Sequence, residues 1–456
     1  MYGHTMSSDA LVHEIGPGGP VDGDLAGVLG GKGASLVELR ETGFPVPDGF
    51  VLTTEAYHSF VRQAGIASDL AAALEFDTPD PDTLADAGRE ARELVRGAQL
   101  PPEHVEAVTD AYAAMGKPRV AVRSSATDED GADASFAGQQ ETYLAVEGTG
   151  SVLRRVKDCW ASLFTDRALS YRAEHGRADE AGIAVIVQEL VEADKSGVLF
   201  TVDPATGARE MTVEAAWGLG EAVVSGTVSP DNYVVDRDTD SLVETTVNTK
   251  RVMVERAPDG ETVRRPVPEG KRGKQVLDRD EIGTLVDIGR EIETRREGPQ
   301  DIEWAISDGE VVVLQARPIT TGGGQTPAGA ATDDPRGLTV EGLGAAPGSA
   351  VGELRFETLA AVKRAKEGHD VVLARERTSP SDVPGMKAAE AVVTAEGGTT
   401  SHAAIVAREL DTPAVVGCEE LDIDESAGRA EVGDRTVEPG TRVRVDGTDG
   451  ALTLLE

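Results

Sequence analysis

The sequence AEGGTTSHAAIVARELDTPAVVG, residues 395–417, decides the fold of the C-terminal part of the chain. A strand ends at two glycines, a helix follows with His402 in its first turn, and the apolar run PAVVG predicts another strand. Two apolar runs, HDVVLA (369–374) and AEAVVTAE (389–396), lie upstream. The order predicts a β/α unit whose functional loops lie at the C-terminal ends of its strands.

His402 is the candidate reactive group of this unit. Thr400 or Ser401 can cap the helix, and an imidazole in the first helical turn can accept a phosphoryl group. Helix amides and neighbouring hydroxyls would stabilise the added negative charge. A buried or capping histidine is the alternative for this position taken alone.

Upstream of this unit, TTGGGQTPAGAATDDPRG (residues 320–337) has no hydrophobic periodicity, which is typical of a flexible linker. Before it, helical stretches such as residues 152–176 alternate with strand-like runs such as residues 183–190. The sequence therefore predicts an α/β (α+β) protein with three parts: residues 1–320, a linker at 321–337, and residues 338–456.

Glycines bracket Lys32 in GVLGGKGASLVELRETGFPVPDGFVLT (residues 27–53), and a helix is predicted to begin near Ala34. Glycines, a helix N-terminus and a lysine together suit a phosphate ligand. The segment is not a Walker A loop, because Gly33 stands where that motif requires Ser or Thr. A solvated lysine in a glycine turn is the alternative.

A second candidate segment is RVAVRSSATDEDGADASFAGQQETYLAV, residues 119–146. A strand that ends at Arg123 leads into a loop of Ser, Thr, Asp and Gly residues. Such a loop can close over phosphates beside the arginine. An acidic surface loop is the alternative.

A third candidate is the hairpin DIEWAISDGEVVVLQARP, residues 301–318. A three-residue loop, Ser307-Asp308-Gly309, would let both strands bury their apolar sets together. That register places four polar side chains on one face: Asp301, Glu303, Gln315 and Arg317. A carboxylate and an amide oxygen suit Mg²⁺, and the arginine would lie beside phosphates. A polar solvent face is the alternative.

The chain has 456 residues, and 44 Lys and Arg against 81 Asp and Glu give a formal net charge of −37. This charge argues against binding to nucleic acid or anionic membranes. No apolar run approaches the ~18 residues of a membrane helix, and we expect a cytoplasmic protein. Because the carboxylates are dispersed, the composition predicts a surface adapted to high salt. Composition drift is the alternative.

Taken together, the motifs resemble the PEP-utilising enzymes, the family of phosphoenolpyruvate synthase and pyruvate, phosphate dikinase. The resemblance covers nearly the whole chain and depends on five motifs in family order. These are GGKGASL, AVRSSAT followed by ASFAGQQETYL, EAAWGLGEAVVSG, QDIEW with LQARPIT, and GGTTSHAAIVAREL.

The resemblance implies an ATP-grasp nucleotide-binding region followed by a swivelling phosphohistidine domain, with His402 as the phosphoryl carrier. It also implies residue roles at the nucleotide. Lys32, Arg123 and Arg317 would hold the ATP phosphates; Gly138 and Thr142 would belong to the loop over them; Gln188, Glu189 and Leu190 would lie beside the adenine; Glu303 and Gln315 would bind Mg²⁺. Arg123, Arg317 and His402 would be the catalytic residues.

One departure from the family concerns the acceptor. Members that make phosphoenolpyruvate carry a further barrel domain, and a barrel of this kind needs ~250 residues, whereas this chain ends soon after His402. The expected reaction is therefore phosphoryl transfer from ATP through His402 to pyruvate on a separate barrel subunit. Transfer to another small molecule and a regulatory phosphohistidine relay are the alternatives.

Overall fold

A computed structural model describes most of the chain. The described residues are 11–16, 24–75, 81–127, 141–165, 168–169, 182–204, 207–224, 228–257, 262–319, 338–399, 401–433 and 435–455. They fall into two compact units, of which the first comprises residues 1–192, 256–262 and 312–317 and the second the rest. The predicted linker at 321–337 lies outside the described residues, and the predicted domain boundaries stay predictions.

The first unit combines an antiparallel sheet with α-helices. Its strands are β1 (Val12–Ile15), β2 (Gly49–Leu52), β3 (Val120–Ala126), β4 (Thr142–Val146) and β5 (Ile183–Glu189). Its helices are α1 (Leu25–Glu41), α2 (Thr54–Gln63), α3 (Ala67–Ala73), α4 (Pro81–Gly97), α5 (Pro102–Ala114) and α6 (Thr149–Ala161), and a 3₁₀ turn follows at Ser162–Phe164.

The strands of this sheet run in the order β1-β2-β5-β3-β4, and every neighbouring pair is antiparallel. Strand β5 is central and buries six of its seven residues, which explains its continuous apolar sequence. Its apolar side chains share a core with Trp160 of α6 and Phe60 of α2. These two rings stack with their centroids 4.8 Å apart.

The second unit begins with another antiparallel sheet, in the order β12-β6-β7-β8-β9. Its strands are β6 (Lys195–Phe200), β7 (Glu210–Trp217), β8 (Asp231–Asp236), β9 (Leu242–Thr246) and β12 (Gln300–Ser307). The remaining elements of this region are the pair β10 (Val252–Arg256) and β11 (Thr262–Pro266) and the helices α7 (Glu221–Val224), α8 (Glu269–Arg272) and α9 (Arg279–Arg296). Strand β13 (Glu310–Pro318) follows, and its residues 312–317 belong to the first unit.

A fully buried ion pair joins Asp231 of β8 to Lys250, which follows β9. Lys250 Nζ also donates to the carbonyl oxygens of Asn248 (2.8 Å) and Lys274 (2.9 Å), and Asp231 Oδ2 accepts from the Val276 amide (2.8 Å). Burial raises the pKa of Asp231, and the hydrogen bonds and charge of Lys250 oppose that shift. A buried pair is tolerated when its other donors and acceptors are satisfied, as they are here.

The second unit ends in an eight-stranded sheet in the order β14-β24-β23-β16-β17-β18-β19-β15. Its strands are β14 (Leu338–Glu341), β15 (Leu343–Ala346), β16 (Ser349–Arg355), β17 (Val371–Arg375), β18 (Ala391–Thr394), β19 (Ala414–Val416), β23 (Arg442–Asp446) and β24 (Ala451–Leu454). Its helices are α10 (Thr358–Lys366), α11 (Val383–Ala388) and α12 (His402–Glu409); a 3₁₀ turn lies at Pro380–Asp382, and β20 (Leu421–Asp424), β21 (Arg429–Val432) and β22 (Arg435–Val437) form a small sheet.

Strands β16, β17, β18 and β19 are parallel neighbours, and α12 connects β18 to β19. The predicted β/α unit around His402 is therefore confirmed, as is the mixed α/β fold class. In the described part of the chain, no helix is both long and apolar enough to cross a membrane.

The helix predicted over residues 152–176 is interrupted in the structure: α6 ends at Ala161, residues 168–169 are again helical, and residues 166–167 lie outside the described residues. Ser162 Oγ donates to the carbonyl oxygen of Cys159 at 2.7 Å, and the chain tightens into a 3₁₀ turn. A serine hydroxyl that binds a backbone carbonyl one turn back competes with the continuing helix. Residues 170–181 lie outside the described residues.

Candidate active site

His402 begins helix α12, as the sequence predicts. Ser401 is the N-cap, and its Oγ accepts a hydrogen bond from the Ala404 amide at 3.4 Å. Between the two cap candidates, the structure therefore assigns this role to Ser401. The imidazole is half-buried at the start of the helix, where partial positive charge favours an added anion.

Thr378 is the partner of the imidazole that sequence reasoning missed. Its Oγ1 lies 2.9 Å from His402 Nδ1, and the threonine is 8% exposed. A hydroxyl that accepts from Nδ1–H holds the ring in the tautomer whose lone pair is on Nε2. The stretch TSPSD at residues 378–382 was visible in the sequence, but nothing local showed that it would reach His402.

The turn that carries Thr378 is braced by Asp382. The carboxylate Oδ2 of Asp382 accepts from both the amide and the hydroxyl of Ser379, each at 2.8 Å, and Thr358 donates to Oδ1. Burial alone would raise the pKa of Asp382, but these hydrogen bonds and the charge of Arg375 hold it below its ordinary value. Thr378 is thus followed directly by a turn that is held together by hydrogen bonds to the Asp382 carboxylate.

In the first unit, Lys32 follows a break inside helix α1. Gly30 has φ 69 and ψ 167 within a helix that begins at Leu25, so the predicted start near Ala34 is wrong. Ser125 causes the break by bonding on both sides of it: its Oγ accepts from the Gly33 amide (3.1 Å) and donates to the Leu29 carbonyl (2.9 Å). The half-buried lysine therefore lies in the first turn of the second helical segment.

Arg123 lies in β3, opposite Thr142 of β4 in the antiparallel register. Its Nη2 donates to Gln315 Oε1 at 2.5 Å, and its Nη1 donates to the Leu314 carbonyl at 3.3 Å. The first unit therefore brings together three of the predicted nucleotide-site residues. Strand β3 itself continues to Ala126, so the prediction that it ends at Arg123 is wrong. The additional residues pair with β5, where Ala126 lies opposite Ile183.

Gln188 and Glu189 end strand β5, and Leu190 follows them. Gln188 is buried, and its Nε2 donates to the Pro47 carbonyl at 3.5 Å, whereas Glu189 is exposed. The Leu190 amide donates to the Arg119 carbonyl at 2.9 Å. This segment therefore lies beside β3 in the same sheet as Arg123.

The other predicted residues are distributed as follows. Arg317 is half-buried near the end of β13 in the first unit. Glu303 is half-buried in β12 and belongs to the second unit. Gly138 lies outside the described residues.

The hairpin turn between β12 and β13 has two residues instead of the predicted three. Asp308 (φ 51) and Gly309 (φ 83) are both left-handed and form the loop alone. Two left-handed residues match the twist of a tight hairpin, and Asp tolerates this conformation better than most residues. The alternation argument that put Glu303 and Gln315 on one face therefore no longer holds.

Glu303 and Gln315 supply a carboxylate and an amide oxygen, the kinds of ligand that Mg²⁺ takes from proteins. Among the described residues, no group of three or more His, Cys, Asp or Glu side chains could hold a metal ion by itself. Mg²⁺ commonly takes one or two protein oxygens and completes its shell with phosphates and water. Gln315 is buried, and its Oε1 already accepts from Arg123, so a metal at this oxygen would replace that bond.

Two protein-family models together match most of the chain. Residues 26–337 match the pyruvate phosphate dikinase AMP/ATP-binding domain, and residues 367–450 match the PEP-utilising enzyme mobile domain. The chain belongs to the pyruvate phosphate dikinase AMP/ATP-binding family. The mobile-domain match contains His402, and the expected order of an ATP-grasp region followed by a phosphohistidine domain is confirmed.

Similar curated proteins are phosphoenolpyruvate synthases. The probable phosphoenolpyruvate synthase of Methanothermobacter thermautotrophicus is 43% identical over 91% of this chain and 61% of its own length. That of Archaeoglobus fulgidus is 41% identical over 95% of this chain and 57% of its own. The phosphoenolpyruvate synthase of Pyrococcus furiosus is 39% identical over 93% and 56%. The chain thus spans less than two thirds of these relatives.

Proposed function

We propose that this protein is an ATP-dependent phosphotransferase in which ATP phosphorylates His402 and the phosphohistidine passes the group to pyruvate, giving phosphoenolpyruvate. The observation that carries the proposal is the position of His402 at the start of α12, with Thr378 Oγ1 2.9 Å from Nδ1. It is supported by membership of an ATP-binding family and by similarity to proteins named phosphoenolpyruvate synthase.

In the proposed first step, the Nε2 lone pair of His402 attacks a phosphorus atom of ATP. An N–P bond forms to the β phosphorus while the bond from that phosphorus to the α,β-bridging oxygen breaks, so that AMP leaves. Transfer of the γ-phosphoryl group to water or inorganic phosphate then leaves one phosphoryl group on His402. Thr378 keeps the proton on Nδ1, so that Nε2 is the nucleophile. The N-terminus of α12 favours the dianion that results.

The nucleotide would be held in the first unit. We propose that Lys32, Arg123 and Arg317 bind the phosphates, and that Gly138 and Thr142 belong to the loop over them. Gln188, Glu189 and Leu190 would border the adenine. The contact of Arg123 with Gln315 and its pairing with Thr142 support this grouping. With a net charge of −37, these local cations must attract an anionic substrate against the field of the whole molecule.

Mg²⁺ would be held by Glu303 and Gln315 and would neutralise charge on the phosphates. When the metal is bound, Arg123 would be released from Gln315 to contact phosphate instead. This exchange is proposed from the donor set and from the existing hydrogen bond.

The acceptor is proposed to bind on a separate polypeptide, a barrel of the kind that carries pyruvate or phosphoenolpyruvate. Pyruvate is supported as the acceptor by similarity to proteins named probable phosphoenolpyruvate synthase. We also propose that residues 321–337 form the flexible connection that lets the part at 338–456 move between the two sites.

The first half of the reaction is tested by incubating the protein with ATP labelled at the β or γ phosphate. We expect acid-labile label on the wild type and none on His402→Ala. If the wild type gains no label that His402→Ala lacks, the proposal fails. Release of AMP on addition of pyruvate, phosphate or hydroxylated small molecules then identifies the acceptor.

A further inference from the structure

A buried carboxylate outside the predicted nucleotide site contacts the loop that carries His402. Glu214 lies in the middle of strand β7, is 0% exposed, and pairs with Val198 of β6 and Asn232 of β8 in the sheet register. Its Oε1 accepts hydrogen bonds from both the amide and the hydroxyl of Thr399, each at 2.6 Å. Hydrogen bonds to a charged acceptor are shorter and stronger than neutral ones.

The neighbouring residue, Gly398, leaves space for this carboxylate. A Cβ atom on Gly398 would lie 2.7 and 2.9 Å from the two carboxylate oxygens of Glu214, and 2.9 Å from Cγ of Pro230. Gly398 does not have a left-handed φ. A glycine is therefore needed here because a side chain would collide with Glu214, and not because of the backbone conformation. Any other residue at 398 would push the loop away from β7.

Thr399 lies three residues before His402. Ser401 caps α12, and its amide donates to the Gly398 carbonyl at 3.0 Å, so this hydrogen bond links Gly398 to the start of the helix. A displacement of Gly398 and Thr399 would therefore strain this link to the start of α12.

We propose that Glu214 is a positioning residue: it holds Gly398 and Thr399 against strand β7 in the arrangement from which His402 is phosphorylated, and Gly398 makes room for its carboxylate. The inference rests on the proposed phosphorylation of His402. Beyond that function, it assigns to Glu214 and Gly398 the positioning of the His402 imidazole.

The first measurement is hydrogen exchange at the Thr399 amide in the full-length protein without nucleotide. We expect Glu214→Ala to speed exchange by about tenfold or more, because the amide loses a charged acceptor. Glu214→Gln should retain most of the protection, since its amide oxygen can accept both bonds. Glu244→Ala, which removes an exposed carboxylate from β9 of the same sheet, should exchange as the wild type does.

The second measurement is the rate of His402 labelling by ATP. Glu214→Ala and Gly398→Ala should each lower the rate at saturating ATP by about tenfold or more, with the KM for ATP unchanged. The double variant should be no slower than the slower single one, because both changes break the same contact. Gly283→Ala, at a helical glycine with nothing within 4 Å of an added Cβ, should label at the wild-type rate.

Equal exchange at Thr399 in Glu214→Ala and the wild type would overturn the proposal, as would fully additive losses in the double variant. A change in the KM for ATP with unchanged maximal labelling would overturn it too. If the wild type is not labelled at all, the proposed function fails, and the exchange comparison alone decides whether Glu214 holds the loop.

Discussion

At the scale of single residues, the imidazole of His402 contacts a hydroxyl 24 positions earlier in the chain, that of Thr378. Thr378→Val keeps the shape of the side chain but removes the oxygen at Nδ1. We expect this variant to label about tenfold more slowly, because the ring then populates the wrong tautomer. Thr378→Ser should stay close to the wild type. Nitrogen NMR of the imidazole would show the shift in tautomer, and equal rates for Val and Thr would contradict the assignment.

His104 predicts a dependence of stability on pH. It is 1% exposed, and its Nε2 lies 2.9 Å from the Ala56 carbonyl and 3.0 Å from Ser59 Oγ. Burial lowers the pKa of His104 below its ordinary value of 6.5, more than the bond to Ala56 raises it. The unfolded chain then binds more protons than the folded one near and below that pH. The free energy of unfolding should therefore fall as the pH falls through this range.

The matched variants are His104→Gln and His58→Gln, the second at an exposed histidine. Urea unfolding between about pH 8 and pH 5 should give a flatter dependence for His104→Gln, which no longer titrates there. His58→Gln should keep the slope of the wild type. A wild-type slope in His104→Gln would show that another group is responsible.

At the scale of elements, the break in α1 is decided by Gly30 and Ser125. Gly30→Ala would place a Cβ 2.3 Å from both the carbonyl and the hydroxyl oxygen of Ser125, at φ 69. We expect a loss of about 2 kcal/mol or more in the free energy of unfolding, from strain and overpacking. Gly283→Ala in α9 should instead gain about 0.5–1 kcal/mol. Urea unfolding of both variants checks this. If Gly30→Ala were as stable as the wild type, the break at Gly30 would not require a glycine.

At the scale of the whole molecule, the charge of −37 predicts stabilisation by salt. Repulsion among dispersed carboxylates opposes the compact state, and added ions screen it. The midpoint of thermal unfolding should therefore rise from low to molar KCl. If the midpoint did not respond to salt, the acidic composition could not be interpreted as an adaptation to high salt. The cytoplasmic location stays a prediction.

Much of the fold around His402 could be predicted because its signals are local. Apolar runs, a cap and a helical period lie within residues 369–417, and the structure forms β17, β18, α12 and β19 there. The hairpin loop was predicted less well, because two-residue and three-residue turns share the same Asp and Gly residues. Helix α6 ended early because of a hydroxyl contact that no periodicity shows.

The sequence by itself determined the class of protein and predicted His402 as its reactive residue, since motif order, capping and strand patterns are properties of neighbouring residues. Only the tertiary structure decided which distant groups surround that histidine and the nucleotide site. Thr378 reaches Nδ1, Glu214 reaches Thr399 and Ser125 breaks α1, across separations of 24, 185 and more than 90 residues. Such contacts arise when sheets and helices pack, and a residue's local sequence carries no record of what packs against it.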